Sequence, residues 1–306
     1  MLRFLLRRFA WTLVTLFLLV TVTFFMIRLA PGDPFSGEKD IPQEIREQLN
    51  RDFGFDGSLG SQYVRYLGML ATGNLGRSSK QKNRTVNQII AEHYPKSMRL
   101  GVLAMALALV VGLAAGIVAA LRQNSVFDYT SMAGATVGLA VPTFVVGPLL
   151  ILGFALWLPI FRPAGFDVFP RDYVLPTVTL SLPFAARIAR LARAGLLEVI
   201  NQDYIRTARS KGLLERVVVI RHALKGGLLP VVTFLGPATA DVLTGSLVVE
   251  AIFRIPGIGT EFVQSALNRD YMLVMGLVIS YGALLLVMNF LIDLTYGLMD
   301  PRIRVQ

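Results

Sequence analysis

Leu100–Leu121, LGVLAMALALVVGLAAGIVAAL, is a run of twenty-two residues without one charged side chain. As an α-helix it reaches about 33 Å, enough to cross a hydrocarbon core of about 30 Å. Ala104, Ala108, Gly112 and Gly116 recur at every fourth position, so one helix face carries only small side chains, and a second helix can approach it closely. The stretch reads as a packed membrane span. Working outward, uncharged runs recur at Phe9–Ile27, Tyr129–Phe161, Gly226–Ala240 (continuing past Asp241 to Val249) and Tyr271–Ile292. Of 306 residues, 54% are hydrophobic and 16% charged, well below the roughly 25% charged share of soluble domains. A water-soluble enzyme is thereby disfavoured.

A further span is less obvious. Only fourteen uncharged residues, Tyr173–Ala186, precede Arg187, about 21 Å of helix, so this span must run on through Arg187 and Arg190 with their side chains snorkelling. Tyr129–Phe161 is longer than one crossing needs and contains Pro142 and Pro148, which predicts a kinked helix. The fold expected is an all-α integral membrane protein with six transmembrane helices. The opening Met1-Leu-Arg-Phe-Leu-Leu-Arg-Arg8 mimics a signal peptide, yet its apolar run of nineteen residues is too long and lacks a cleavage site, so it reads as a retained first span.

Six spans put both ends on one side. The segments 1–8, 122–128, 187–225 and the C-terminal tail hold fifteen Lys and Arg, whereas the opposite short loops hold Arg162, Arg171, Arg254 and Arg269. The positive-inside bias therefore places both termini in the cytoplasm. The organisation read from this is a cytoplasmic N-terminus (1–8), a first transmembrane helix (9–29), a small helical extracytoplasmic insertion (30–98), a five-helix core (99–297) with a cytoplasmic segment at 187–227, and a cytoplasmic tail (298–306). Within the insertion, Ile45, Leu49 and Phe53 share one helical face between Pro42 and Gly54, and Tyr63, Leu67 and Leu70 mark a second short amphipathic helix. Arg77, Lys80, Lys82 and Arg84 form a basic cluster that suits either a docking protein or plain solvation.

Catalytic apparatus is missing. The chain has no cysteine, no phosphate-cradling G-x-x-x-x-G-K-[ST] loop, no H-E-x-x-H and no G-x-S-x-G. His93 and His222 fall on opposite sides of the predicted membrane, so no metal site is expected. The net charge of +10 is spent on topology and not on nucleic acid. A membrane protein without its own engine is driven by a partner or by an ion gradient, or is passive.

The segment Asn201-Gln-Asp-Tyr-Ile-Arg-Thr-Ala-Arg-Ser-Lys-Gly212 bears on that choice. Leu197, Ile200, Tyr204 and Ala208 lie on one helical face, Arg206, Arg209 and Lys211 lie elsewhere, and Gly212 permits a sharp turn. By physics alone, such a helix either docks a cytosolic partner or rests on anionic lipid.

Tyr204-Ile-Arg-Thr-Ala-Arg-Ser-Lys-Gly212, followed by Arg221-His-Ala-Leu-Lys-Gly-Gly-Leu-Leu-Pro230, closely resembles the cytoplasmic coupling motif of binding-protein-dependent ABC importers of the peptide and nickel permease group. Arg28-Leu-Ala-Pro-Gly-Asp-Pro34, Glu250-Ala-Ile-Phe-Arg-Ile-Pro-Gly-Ile-Gly259, Asn268-Arg-Asp-Tyr271 and Asp300-Pro-Arg302 extend the resemblance over nearly the whole chain, to the B-type oligopeptide permease subunits. The general motif begins Glu-Ala-Ala where this chain has Thr207-Ala208-Arg209, and the interval from Gly212 to Pro230 is longer than in the general motif. The peptide subgroup shares both departures, and only the helix-then-glycine geometry carries over.

What the resemblance implies is a permease of the type I ABC importer kind, not itself an enzyme. Its coupling segment would comprise Tyr204, Ile205, Arg206, Thr207, Ala208, Arg209, Lys211, Gly212, Arg221, His222 and Pro230. It further implies a second homologous C-type permease subunit, two cytoplasmic ABC ATPase subunits that use ATP and Mg, an extracytoplasmic peptide-binding protein, and a place in the lipid of a bacterial inner membrane. This chain would bind no cofactor. Oligopeptides are the expected cargo, with dipeptides and nickel chelates as alternatives. A secondary transporter driven by an ion gradient is the competing class, but neither inverted repeats nor several intramembrane charges favour it. Asp241 is an acid inside an apolar run, where a carboxylate costs about 2.5–3.5 kcal/mol. It either lines the translocation pathway and meets cationic substrate groups, or is a structural pair or a protonated acid. Pro142 in the third span and Gly236-Pro237 in the fifth mark either moving hinges along that pathway or static kinks.

Overall fold

The computed structural model describes residues 2–30, 42–243 and 246–299, in which the chain is helical, with one isolated bridge (Arg77 to Thr85) and no strand. In chain order the first helices are α1 (Leu2–Leu29), α2 (Gln43–Asp52), α3 (Leu59–Ala71), α4 (Val86–Leu121), α5 (Val126–Ala140), α6 (Thr143–Ile151) and α7 (Val174–Ile200). Then follow α8 (Asp203–Ser210), α9 (Glu215–Val217), α10 (Leu224–Gly227), α11 (Leu229–Leu243), α12 (Leu247–Phe253), α13 (Ile258–Leu267) and α14 (Tyr271–Met299). A π-helical turn, Leu152–Trp157, prolongs α6, and another, Val218–Ala223, joins α9 to α10.

Among the described residues, α1, α4, α7 and α14 are each long and apolar enough to cross a membrane, and the count reaches six if each of two bent pairs is one span. The first pair is α5 and α6, bent by 102°. The predicted kink is therefore a break. Pro142 has no N–H to give and forces Val141 into an extended conformation (φ −86°, ψ 117°), so α5 ends at Ala140 and a new helix starts at Thr143. The second pair joins the stretch Glu215–Gly227 to α11 at 52°.

The chain forms two compact units, residues 1–96 with 256–306 and residues 97–255, with the boundary inside α4. In the first unit, Val20 and Phe24 of α1, Tyr66 of α3, Val86 and Ile89 of α4, and Met272, Leu273 and Met275 of α14 share one buried cluster. Ser58 caps α3 by accepting from the Ser61 amide at 3.3 Å, and Tyr63, Leu67 and Leu70 pack against this cluster as their spacing predicts. On α2 the expected face is only partly used. Leu49 and Phe53 are half-buried, but Ile45 is 49% exposed.

In the second unit α7 is the axis. Ala104 and Ala108 are fully buried, and Gly112 and Gly116 lie against α7 so closely that a Cβ at either would stand 2.6 or 2.5 Å from the carbonyl oxygen of Ala185 or Ala189. The small-residue face does what its spacing predicts: it lets two backbones touch. α7 also runs unbroken through Arg187 and Arg190, about 40 Å in all. These arginines do more than snorkel. The Arg190 Nη2 donates to Thr136 Oγ1 at 2.8 Å, Arg187 lies 5.5 Å from the Phe234 ring centre, and Arg193 grips the buried Asp128 with two hydrogen bonds of 2.6 and 2.8 Å, tying α7 to α5.

Candidate functional site

Where α7 ends, at Ile200, the chain turns and starts α8 with Gln202 in extended conformation, its carbonyl accepting from the Ile205 and Arg206 amides. Asp203 in the first turn suits the positive end of the helix dipole. The side chain that anchors α8 is Ile205, fully buried, with Ala208 beside it. They pack with Ala120 of α4, Leu196 of α7, and Val218 and Ala223 of the π-helical turn. The sequence pattern put Tyr204 on the inner face. In the structure Tyr204 is 48% exposed, its hydroxyl lying near Gly226, because the π-helical turn offers its apolar side to Ile205 one position on.

Gly212 ends the element. Its φ of +75° lies in the left-handed region that glycine occupies without strain, and its amide donates to the Arg209 carbonyl at 2.9 Å. Across this turn Arg209 donates to Glu215 through Nε (3.1 Å) and Nη2 (2.7 Å), a two-bond fork that fixes the start of α9 against the end of α8. Thr207 Oγ1 donates back to the Asp203 carbonyl at 3.0 Å. Arg206, Lys211 and Arg221 are exposed, and His222 and Pro230 are half-buried.

This unit is joined to the membrane helices by contact between backbones. A Cβ at Gly195 of α7 would lie 2.2 Å from the Gly227 carbonyl oxygen and 3.3 Å from Pro230 Cδ, and a Cβ at Gly227 would lie 3.0 Å from Leu196 Cα. The backbones of α7, α10 and the start of α11 are thus packed here with little slack.

Sequence reasoning missed the apolar part of this surface. Leu213, Leu214, Val217 and Ile220 are 41%, 74%, 37% and 66% exposed and follow directly on Gly212. They leave uncovered apolar area in the same stretch of chain as the exposed basic side chains Arg206, Lys211 and Arg221. Four large apolar side chains in eight residues, beside exposed basic ones, make a surface suited to covering by another protein.

Of the two candidate pathway residues, Asp241 is exposed on α11 and Pro142 is exposed at the start of α6. A second acid escaped notice because it directly follows an apolar run: Glu250 of α12 is fully buried and accepts from Ser97 Oγ at 2.6 Å. Among the described residues no three His, Asp or Glu side chains gather as a metal site requires.

Comparison with known proteins gives matches over the whole chain. Residues 112–305 match the model described as "Binding-protein-dependent transport system inner membrane component", and residues 1–101 match the model for the N-terminal part of such membrane components. The oligopeptide transport system permease protein OppB of Salmonella typhimurium is 45% identical over 305 residues, covering 99% of this chain and 100% of that protein. The dipeptide transport system permease protein DppB of Bacillus subtilis is 41% identical over 305 residues, covering 100% and 99%. Among solved structures, an amino acid ABC transporter crystallised with histidines superposes with a TM-score of 0.55 at 16% identity, over 75% of this chain and 96% of that one, a likeness of fold.

Proposed function

Because the chain belongs to the family of binding-protein-dependent transport system inner membrane components, we propose that it is the permease subunit of an ATP-driven importer of oligopeptides, embedded in a bacterial inner membrane. It is a conduit and not an enzyme; ATP is hydrolysed by partner subunits. Substrate reaches such a permease from a binding protein. In finer terms, a second, C-type permease would complete the pore, two ABC ATPases would bind from the cytosol with ATP and Mg, a peptide-binding protein would deliver cargo at the outer mouth, and both termini would be cytosolic. This chain would bind no cofactor of its own.

The observation that carries the reading is the α8 unit: anchored inward by Ile205, closed by Gly212 and the Arg209–Glu215 fork, bolted to α7 through Gly195, and left apolar on its free side. The coupling residues run from Tyr204 to Gly212 with Arg221, His222 and Pro230. In this reading ATP-driven closure of the ATPases pushes on α8, and the rigid contact passes the motion to the membrane helices. Reconstituted with its partners, the chain should accumulate labelled tripeptide in liposomes only when ATP is supplied on the ATPase side. Accumulation by the chain alone under an ion gradient would favour a secondary transporter.

Asp241 and Pro142 are assigned to the pathway, Asp241 to meet the cationic amino end of a peptide and Pro142 to mark the break where α5 and α6 part. Asp241→Asn should lower uptake about tenfold at saturating binding protein, with assembly intact, as expected for losing a charge-assisted contact. Unchanged uptake in that variant would remove Asp241 from the pathway.

A further inference from the structure

At the outer end of α1, within the unit of residues 1–96 and 256–306, lies a cavity of about 350 Å³. Arginines from four separate places in the chain line it: Arg28 at the end of α1, Arg51 in α2, Arg65 in α3, and Arg77 in the loop before α4. One acid, Asp52, stands among them. Arg65 also donates to Asp56 outside the cavity at 2.7 Å.

Three side chains that line this cavity each carry a buried polar atom with no hydrogen-bond partner among the described residues: Arg28 Nε, Gln62 Oε1 and the Tyr66 hydroxyl. Tyr66 is 1% exposed and Gln62 8%. The Gln62 amide orientation is fixed by its nitrogen, which donates to the carbonyls of Phe55 and Gly57 at 2.9 and 3.2 Å, so it is an acceptor that remains. Arg28 is held by one face, its guanidinium carbon 3.9 Å from the Phe55 ring centre. Burial raises the Tyr66 phenol above its ordinary range, which keeps its proton in place as a donor. Leaving such groups unmet is costly, and a ligand that met them would regain that cost.

We propose that this cavity binds a phosphate group, with Arg28 Nε–H and the Tyr66 hydroxyl donating to its oxygens and Gln62 Oε1 accepting from a hydroxyl or ammonium carried beside it. A carboxylate is flat and is satisfied by a single guanidinium fork, whereas a phosphate offers oxygens in a tetrahedron and suits donors arriving from four directions. The free acceptor on Gln62 calls for a donor on the ligand. The glycerol or ethanolamine headgroup of a phospholipid supplies one, and so does the P–OH of free phosphate. Position supports the lipid source: Met26 and Leu29, each 68% exposed, flank Arg28 on α1, so the cavity stands where the apolar helix ends and headgroups begin.

The test uses the detergent-purified transporter carrying wild-type chain, Tyr66→Phe or Arg28→Gln. Tyr66→Phe keeps the ring that stacks on Phe24, so it preserves the core while removing one donor. Native mass spectrometry counts retained phosphatidylglycerol and phosphatidylethanolamine, and calorimetry of the delipidated complex measures inorganic phosphate and acetate. We expect each variant to hold the phosphate-bearing ligand about tenfold more weakly. Loss of retained lipid without phosphate binding identifies a headgroup as the source, and binding of inorganic phosphate by the delipidated wild type identifies free phosphate. Lipid retention and phosphate affinity that are the same in all three proteins would overturn the proposal, as would acetate binding as tight as phosphate.

Discussion

Changing Leu214 and Ile220 together to aspartate is expected to weaken capture of the ATPase subunits by about a hundredfold or more, and to reduce ATP-driven peptide uptake with it. Covering a large apolar side chain contributes about 1.5–3 kcal/mol, and each factor of ten in affinity is about 1.4 kcal/mol, so losing two such contacts reaches that range before any repulsion is counted. Both side chains point away from the chain's own core, at 74% and 66% exposure, so insertion and folding of the permease should be unaffected. Titrating purified ATPase against immobilised permease reads the effect directly. Binding within twofold of wild type would show that this apolar surface faces something else.

The next largest effect should come from Gly195→Val. A side chain there meets the Gly227 carbonyl and the Pro230 ring, neither of which can rotate aside, and overpacking of this kind costs typically 1–3 kcal/mol. The α7 backbone and the α10–α11 corner would be forced apart at the point through which α8 communicates with the spans. We expect ATP hydrolysis to continue while uptake falls at least tenfold, a split between motor and conduit that simple unfolding would not give. Gly212→Ala is the informative contrast. Nothing lies within 4 Å of a Cβ at Gly212, so only the left-handed backbone resists, and the cost is near 1 kcal/mol. If Gly195→Val transported like wild type, the rigid link would be wrong.

Much of this arrangement was legible before any coordinates. The four-residue recurrence of Ala104, Ala108, Gly112 and Gly116 announces a helix-packing face because close backbone approach demands small side chains at that period, and the contact with α7 follows. Length alone required the fourth span to run through Arg187. What the sequence hid depends on neighbours distant along the chain. Asp128 and Arg193 are 65 residues apart, and nothing local says that they meet. Proline signalled a kink at Pro142 but not an angle of 102°, which is set by how α6 packs on α7 and α12. On α8 the helical period put Tyr204 and Ala208 on the inner face, and the π-helical turn beneath takes Ile205 with Ala208 instead. Leu213, Val217 and Ile220 are spaced i, i+4, i+7 like one helical face, and such a face reads from sequence as buried, so its exposure carried no signal until its surroundings were known.

The central claim is that the stretch from α8 to the π-helical turn is a cytosolic seat for an ATPase. The chain has no cysteine, so Leu214→Cys introduces a unique thiol. With a membrane-impermeant maleimide cross-linker, Cys at this position should react in inside-out vesicles and join to an ATPase subunit, while staying unlabelled in intact cells. Labelling from outside intact cells would contradict the account.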